Sequence, residues 1–131
     1  MLFRSPATSF YLKKPYGNFR GMIDAVVPVA VATDMNPGSS PSLALPFAMT
    51  AGCLYGRLTP EEVLCGATLN GAAAIGMADR LGTLEAGKQA DLVVWDTENL
   101  DRLIYRYGTN RAVAVFKRGV RMTGKENLWN V

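Results

Sequence analysis

Residues 26–39, Val-Val-Pro-Val-Ala-Val-Ala-Thr-Asp-Met-Asn-Pro-Gly-Ser, decide the fold class of this chain. An apolar run ends abruptly at Asp34, and turn-forming polar residues follow at once. Strands with both faces buried carry such continuous apolar runs, because the usual alternation of apolar and polar residues is lost. We therefore predict that Val26–Ala32 is an internal parallel strand. Asp34 would then lie at its carboxyl end, where α/β barrels present their catalytic groups.

The composition indicates a folded chain with no membrane partner. The chain has 131 residues, of which 49% are hydrophobic and 19% charged, so an intrinsically disordered protein is excluded. This length suits one domain or parts of two. The apolar run is broken by Asp24 and Asp34 and falls well short of the ~20 residues that a membrane-spanning helix needs.

The charge pattern does not indicate a nucleic-acid partner. The net charge is +3, and basic residues cluster near the carboxyl terminus without an aromatic stacking platform or a Gly-rich phosphate loop. Charged residues on a solvated strand edge explain the cluster better, since they also discourage aggregation. The residues concerned are Lys117, Arg118, Arg121 and Lys125.

The two cysteines carry no chemical signature. Cys53 and Cys65 lie twelve positions apart in apolar surroundings and match neither a zinc-ligand pair nor a redox Cys-x-x-Cys motif. We interpret them as buried, inert thiols, which is typical of a reducing, cytoplasmic compartment.

The remaining elements follow from periodicity and from turn residues. Residues 6–16 are predicted to form an extended segment with a loop, and residues 17–25 a short helix. Residues 42–57 are predicted to form a helix interrupted near Pro46. Thr59-Pro60-Glu61-Glu62 is a capping box, which predicts a helix that continues to about residue 74.

The local composition changes near residue 79, where we place a boundary between two segments, 1–78 and 79–131. The second segment is turn-rich at first and then β-rich. Its predicted elements are a strand at 90–95, a short helix at 100–107, and a hairpin with strands at 112–117 and 120–123.

Two motifs carry a resemblance to a known enzyme family. The loop at residues 33–41, Thr-Asp-Met-Asn-Pro-Gly-Ser-Ser-Pro, resembles the loop after the last barrel strand of the imidazolonepropionases. Residues 82–94 are similar to the start of the β-sandwich in many members of the amidohydrolase superfamily, to which imidazolonepropionases belong. The motif at residues 82–94 is shared across the superfamily and does not indicate a substrate. The loop at residues 33–41 is more specific, because related deaminases carry different residues after their aspartate. Residues 108–119 also fit, so the resemblance covers about residues 6–123.

The resemblance implies an α/β fold: the C-terminal part of a (β/α)8 amidohydrolase barrel plus the C-terminal strands of a composite β-sandwich. Residues 1–78 would supply the last strand and helices of the barrel, and residues 79–131 a portion of the sandwich. In the family, histidines from earlier strands bind a zinc or iron ion, and this chain has no histidine. We therefore expect the chain to be a piece of a longer enzyme, inactive by itself. The resemblance further implies a small-molecule substrate and a homo-oligomeric, cytoplasmic parent.

The resemblance gives roles to four residues of the 33–41 loop. Asp34 matches the aspartate that faces the metal and its bound water, so it would be both a metal ligand and the catalytic proton acceptor. Asn36, Gly38 and Ser39 match positions that contact the substrate or its formimino-glutamate product. Ser39 stands where relatives often have threonine, and it keeps the hydroxyl. The residues alone leave another interpretation open, in which Asp34 opens an Asx-turn and the loop is an ordinary tight turn.

The activity so implied is hydrolysis of the carbon–nitrogen bond of 4-imidazolone-5-propanoate to N-formimino-L-glutamate, in histidine degradation. One alternative is another amidohydrolase, such as a deaminase or a cyclic-amide hydrolase. The other is a non-catalytic module that associates through its β-unit, which a stable monomer with a native-like melting transition would favour. Thr8 and Tyr11 precede the first predicted helix, where the preceding barrel strand should end, so they could approach the site; of the two roles we favour packing. Asp34 is expected to point into a cavity at the rim of the sheet.

Overall fold

Two sheets, one parallel and one antiparallel, organise the chain in a computed structural model that describes residues 2–122, with side chains from residue 5 onward. The parallel sheet pairs β1 (Leu2–Arg4) with β2 (Val29–Val31). The antiparallel sheet has the order β3-β4-β5, with β3 at Leu92–Trp95, β4 at Ala112–Lys117 and β5 at Val120–Arg121. The helices are α1 (Pro6–Tyr11), α2 (Phe19–Asp24), α3 (Leu45–Gly56), α4 (Pro60–Ala67), α5 (Leu69–Ala74) and α6 (Leu100–Tyr105). Residues 123–131, which include Lys125 and the end of the predicted hairpin, lie outside the described range.

Elements that short local motifs specify are confirmed. The capping box forms in full at the start of α4: the Thr59 hydroxyl accepts from the backbone N–H of Glu62, and the Glu62 carboxylate accepts from that of Thr59. The hairpin between β4 and β5 turns at Arg118 and Gly119, whose φ angles of 52° and 78° are both positive. Positive φ at both central residues is the geometry that suits the twist of a two-residue hairpin.

The predicted strand at 26–32 is shorter than expected, and among the described residues it has a neighbouring strand on one side only. β2 spans only Val29–Val31, because Val26 has a φ of 58° and is 87% exposed, and Pro28 follows shortly after. Within the described residues β2 pairs with β1 alone, so it lies at the edge of its sheet. All three of its residues are nevertheless buried, since α4 and α5 pack on this strand. Within the described residues, the burial of this apolar run comes from β1 and from the helices packed on β2.

Three predictions about helices were wrong. Residues 6–11 form a helix rather than an extended segment, because Ser5 caps it and Pro6 occupies its first turn. Pro46 does not interrupt α3; it lies in the first turn, where its missing N–H leaves no hydrogen bond unmade. The helix predicted from residue 59 to 74 is two helices, separated at Thr68 with φ −112° and ψ −86°.

The main core lies between β2 and the helices. It consists of one residue from each of several elements: Phe19, Val29, Met49, Leu58, Val63 and Ile104. Ile104 belongs to α6, and the buried Thr50 hydroxyl of α3 donates to its carbonyl oxygen at 2.7 Å. The second segment of the chain thus contributes a helix to the core of the first.

Close helix–strand approach places β2 firmly against α4. A Cβ built on Gly66 would lie 2.9 Å from Val31 Cγ2 and 3.1 Å from the Val29 carbonyl oxygen. The side-chain amide of Asn70, on α5, donates to the same Val29 oxygen at 3.0 Å. These contacts fix the strand that leads into the 33–41 loop.

Cys53 and Cys65 are free thiols, half-buried rather than fully buried as predicted. Burial, followed by the nearby Glu61, raises the pKa of Cys53 to about 11, so its thiol stays protonated near neutral pH. Among residues 2–122, none of the helices combines the length and apolarity that crossing a membrane requires.

Candidate active site at the end of the parallel strands

The carboxyl ends of β1 and β2 meet at one edge of the parallel sheet. The chain leaves β1 at Ser5, which caps α1: its hydroxyl accepts from the Thr8 backbone N–H at 3.3 Å. The chain leaves β2 through Thr33 into the loop that carries Asp34. Parallel pairing therefore brings the first turn of α1 beside the 33–41 loop, although 26 residues separate Thr8 from Asp34.

Thr8 contacts the Asp34 carboxylate directly. Its hydroxyl Oγ1 donates to Asp34 Oδ2 at 2.8 Å. Thr8 is half-buried, whereas Tyr11 is 51% exposed and contributes nothing to this edge. Of the two roles considered for Thr8, packing and approach to the site, the second is observed, because residues 6–11 form a helix whose first turn contacts the loop.

The carbonyl oxygen of Thr33, the residue before Asp34, is held by two hydroxyls. Ser5 Oγ lies 3.2 Å from it and Ser40 Oγ 2.6 Å, and Ser40 is buried. These bonds tie both ends of the loop and the cap of α1 to one point. The loop is therefore anchored on either side of Asp34.

The side chain of Asn36 organises the loop from within. Its Oδ1 accepts from the backbone N–H groups of Gly38 and Ser39 at 2.9 and 2.8 Å, which is an Asx-turn. Its Nδ2 donates to the Asp34 carbonyl at 2.7 Å and to Ser39 Oγ at 2.8 Å. The hydrogen bonds of Asn36 and of the Ser39 hydroxyl thus stay inside the loop. A backbone bridge between Asn36 and Ser40 closes it.

Asp34 is exposed and does not point into an enclosed cavity formed by the described residues, contrary to the expectation from sequence. Two parallel strands cannot surround a side chain at their edge, so this carboxylate faces solvent. Its φ of 51° lies in the left-handed region, which is uncommon outside glycine but tolerated by aspartate. Such outliers concentrate at functional sites.

The described residues do not fit a metal ion by themselves. No group of three or more histidine, cysteine, aspartate or glutamate side chains comes close enough together among residues 2–122. The whole sequence contains no histidine. Beside Asp34 stands the neutral Thr8 hydroxyl, not a second ligand. A zinc ion needs three or four protein ligands, and the described residues bring one carboxylate, that of Asp34, to this edge of the sheet.

The second sequence motif, at residues 82–94, has a structural role. Lys88 Nζ donates to the Ala78 carbonyl at 2.9 Å and to Thr83 Oγ1 at 2.6 Å, which closes the turn. Asp91 accepts from Lys117 Nζ and, at 2.8 Å, from the Arg118 backbone N–H. These contacts join the start of β3 to the hairpin turn and present no reactive group.

Sequence analysis gave no role to the hydroxyls of Ser5 and Ser40, and it named Thr8 only as a residue that could approach the site. For Ser5 and Thr8 a signal existed: Ser-Pro at residues 5–6 is a cap followed by proline at the first helical position. That signal would have given the helix, but not its contact with Asp34, which depends on which strands pair.

The sequence of this chain is similar to those of known proteins. The model of the amidohydrolase family matches residues 4–123. The chain belongs to the amidohydrolase family. It is 52% identical over 114 residues to an imidazolonepropionase of Shouchella clausii, an alignment that covers 87% of this chain and 26% of that protein. It is 46% identical over 123 residues to that of Brevibacillus brevis, covering 94% of this chain and 29% of the relative. The resemblance to imidazolonepropionases is confirmed, and the chain spans about a quarter of the length of these relatives.

Solved structures agree on the fold. A zinc-bound adenosine deaminase from Xanthomonas campestris superposes with a TM-score of 0.80 at 27% identity, covering 91% of this chain and 31% of that one. A zinc- and atraton-bound mutant of an atrazine chlorohydrolase from Arthrobacter aurescens gives 0.81 at 23% identity, covering 91% and 30%. The prediction of an α/β amidohydrolase fold is therefore confirmed.

Proposed function

We propose that this chain is the C-terminal portion of an imidazolonepropionase, which hydrolyses 4-imidazolone-5-propanoate to N-formimino-L-glutamate in histidine degradation. The observation that carries the proposal is the 33–41 loop. It follows a strand of the parallel sheet, it is anchored on both sides of Asp34, and it lies within the region aligned with imidazolonepropionases. In this proposal β1 and β2 are the last two strands of a (β/α)8 barrel, and β3–β5 belong to a composite β-sandwich.

Asp34 is the residue that acts in the reaction. Hydrolysis of a cyclic amide requires a water molecule to lose a proton as it attacks the ring carbonyl carbon. A carboxylate at the end of a strand takes that proton and passes it on to the leaving nitrogen. Asp34 is exposed in this chain, where two parallel strands form the sheet edge; in the proposed parent the other barrel strands would surround this edge.

Asn36, Gly38 and Ser39 are the substrate- and product-binding residues of the proposal. The Ser39 hydroxyl can rotate from its partner in Asn36 to a carboxylate oxygen of a ligand, because a hydroxyl both donates and accepts. Gly38 leaves the backbone of the exposed loop tip uncovered. The structural role of Asn36 in holding the turn keeps both groups in place.

The parent enzyme would bind a divalent zinc or iron ion, with Asp34 as one ligand and histidines from outside this chain as the others. The support is the zinc in both structural relatives. We place the parent in the cytoplasm, since both described thiols are free. Its oligomeric form would be a homo-oligomer, as the family resemblance implies.

A chimera tests the function. Residues 4–123 replace the matching segment of the Shouchella clausii imidazolonepropionase, and hydrolysis of 4-imidazolone-5-propanoate is followed spectroscopically. We expect a folded, active chimera, while the isolated 131-residue chain shows no turnover. Metal-dependent hydrolysis by the isolated chain would contradict its being a portion of a larger site. A folded chimera without activity would contradict the proposal that 4-imidazolone-5-propanoate is the substrate.

A second candidate, a deaminase, has one observation in its favour: its structural relative superposes over most of the chain. A substrate screen on the same chimera with cyclic amides and amino-substituted purines separates the two. Preference for the purines would favour the deaminase.

A further inference from the structure

The Asp34 carboxylate is exposed, yet it is not left to rotate freely. Thr8 Oγ1 donates to Oδ2 at 2.8 Å, a length typical of a good O–H···O bond. Residues 5–122 place no donor on the second oxygen, Oδ1. The carboxylate therefore has one oxygen held and one oxygen directed away from Thr8.

Thr8 is itself held in place. It occupies the third position of α1, where its backbone N–H bonds to the capping hydroxyl of Ser5 at 3.3 Å. The same Ser5 hydroxyl donates its hydrogen to the Thr33 carbonyl at 3.2 Å. The donor and the loop that carries the acceptor are thus tied together at a second point, one residue before Asp34.

The backbone of Asp34 makes such a contact consequential. With φ at 51°, the residue sits at a sharp change of chain direction, so a small rotation there moves the carboxylate far. A displacement of about 1 Å in a reacting group can lower a rate 10²-fold. A fixed donor from a neighbouring element removes that freedom.

We propose that Thr8 is a positioning residue that fixes the orientation of the Asp34 carboxylate across the two parallel strands, leaving Oδ1 to face the reacting molecule. This inference rests on the proposed function of Asp34. Thr8 itself touches neither substrate nor water in the reaction.

The test uses three variants of the chimera: Thr8→Val, which removes the hydroxyl and keeps the shape; Thr8→Ser, which keeps the hydroxyl; and Thr68→Val, a matched control. The exposed Thr68 hydroxyl bonds only its own helix, donating to the Leu64 carbonyl at 2.7 Å. We expect Thr8→Val to lower kcat about 10- to 100-fold with KM changed by less than about 2-fold. Thr8→Ser should recover most of the rate, and Thr68→Val should match the unsubstituted chimera.

Crystal structures of the same proteins give a readout that needs no activity. The Asp34 carboxylate should keep its place in the unsubstituted, Thr8→Ser and Thr68→Val chimeras, and it should rotate or become disordered in Thr8→Val. An unmoved carboxylate in Thr8→Val, or a rate equal to that of Thr68→Val, would overturn the proposal. If the unsubstituted chimera is inactive, the proposed function fails, and the position of the carboxylate still decides the role of Thr8.

Discussion

Asp34 and Asp91 each stand beside a strand, and their surroundings differ. Asp91 precedes β3 and receives an ion pair from Lys117 and a backbone N–H from Arg118, so its charge is fully committed to the fold. Asp34 follows β2 and receives a single neutral hydroxyl. A carboxylate that is paired with a cation and a backbone N–H is a poor proton acceptor for a reacting molecule. Asp91 therefore holds two elements of the fold together, whereas the Asp34 carboxylate remains available to a reacting molecule.

The largest expected effect comes from replacing the Asp34 carboxylate with an amide in the chimera. Asp34→Asn should lower kcat/KM about 10³-fold, because an amide cannot accept the proton that general-base catalysis removes. Its melting temperature should stay close to that of the parent chimera, since Asp34 is exposed and bonded to one hydroxyl. Steady-state kinetics and thermal unfolding measure the two quantities.

Asp91→Asn is the matched variant, and it should show the reverse pattern. We expect kcat/KM within about 3-fold of the parent value together with a lower melting temperature. Loss of activity in Asp91→Asn without loss of stability would break the distinction between the two aspartates. So would an Asp34→Asn variant that remains active.

A smaller effect should come from the packing that supports the Asp34 region. Gly66→Ala puts a methyl group against Val31 and the Val29 carbonyl, at distances where something must shift. We expect it to lower the free energy of unfolding by about 1–3 kcal/mol, as overpacking does. Urea unfolding followed by circular dichroism measures it.

Gly71→Ala is the control for that substitution. Its Cβ would meet only the Gly66 carbonyl oxygen at 3.4 Å, an ordinary contact. Alanine favours a helix over glycine, so this variant should be more stable by about 0.5–1 kcal/mol. Equal effects of the two alanines would mean that α4 does not fix β2 through close contact.

Features that depend on adjacent residues could be predicted from the sequence, whereas the surroundings of Asp34 could not. The capping box at Thr59 and the hairpin at Arg118-Gly119 were predictable because each depends on a few adjacent residues. Asp34 was recognised as a candidate because the polar loop follows an apolar run, and its catalytic role stays a prediction. Its exposure was not foreseen, since burial depends on what surrounds the sheet edge.

The contact between Thr8 and Asp34 lay beyond sequence reasoning for a physical reason. It spans 26 residues and exists only because β1 pairs in parallel with β2. No periodicity specifies a strand's partner. The short helix α1 was not predicted, although Ser5 caps it and Pro6 lies in its first turn, because residues 6–16 were predicted to form an extended segment with a loop.

The smallest effect should be the pH dependence that Asp91 alone contributes. The Lys117 side chain, and next the Arg118 backbone N–H, lower the pKa of Asp91 from 3.8 to about 2. A carboxyl group whose pKa is depressed by folding stabilises the folded chain above its unfolded pKa, and that contribution disappears as the pH falls through its folded pKa. The chimera should therefore lose this contribution between about pH 4 and pH 2.

Asp91→Asn has no carboxyl group to titrate. The difference in melting temperature between it and the unsubstituted chimera should be present near pH 6 and shrink as the pH falls from about 4 to about 2. Lys117→Met removes the larger cause of the lowered pKa of Asp91, so the same difference measured in that background should be smaller near pH 6. A difference that stays constant down to about pH 2 would show that Asp91 holds the hairpin by shape rather than by charge. The comparison with Asp34 would then rest on catalysis alone.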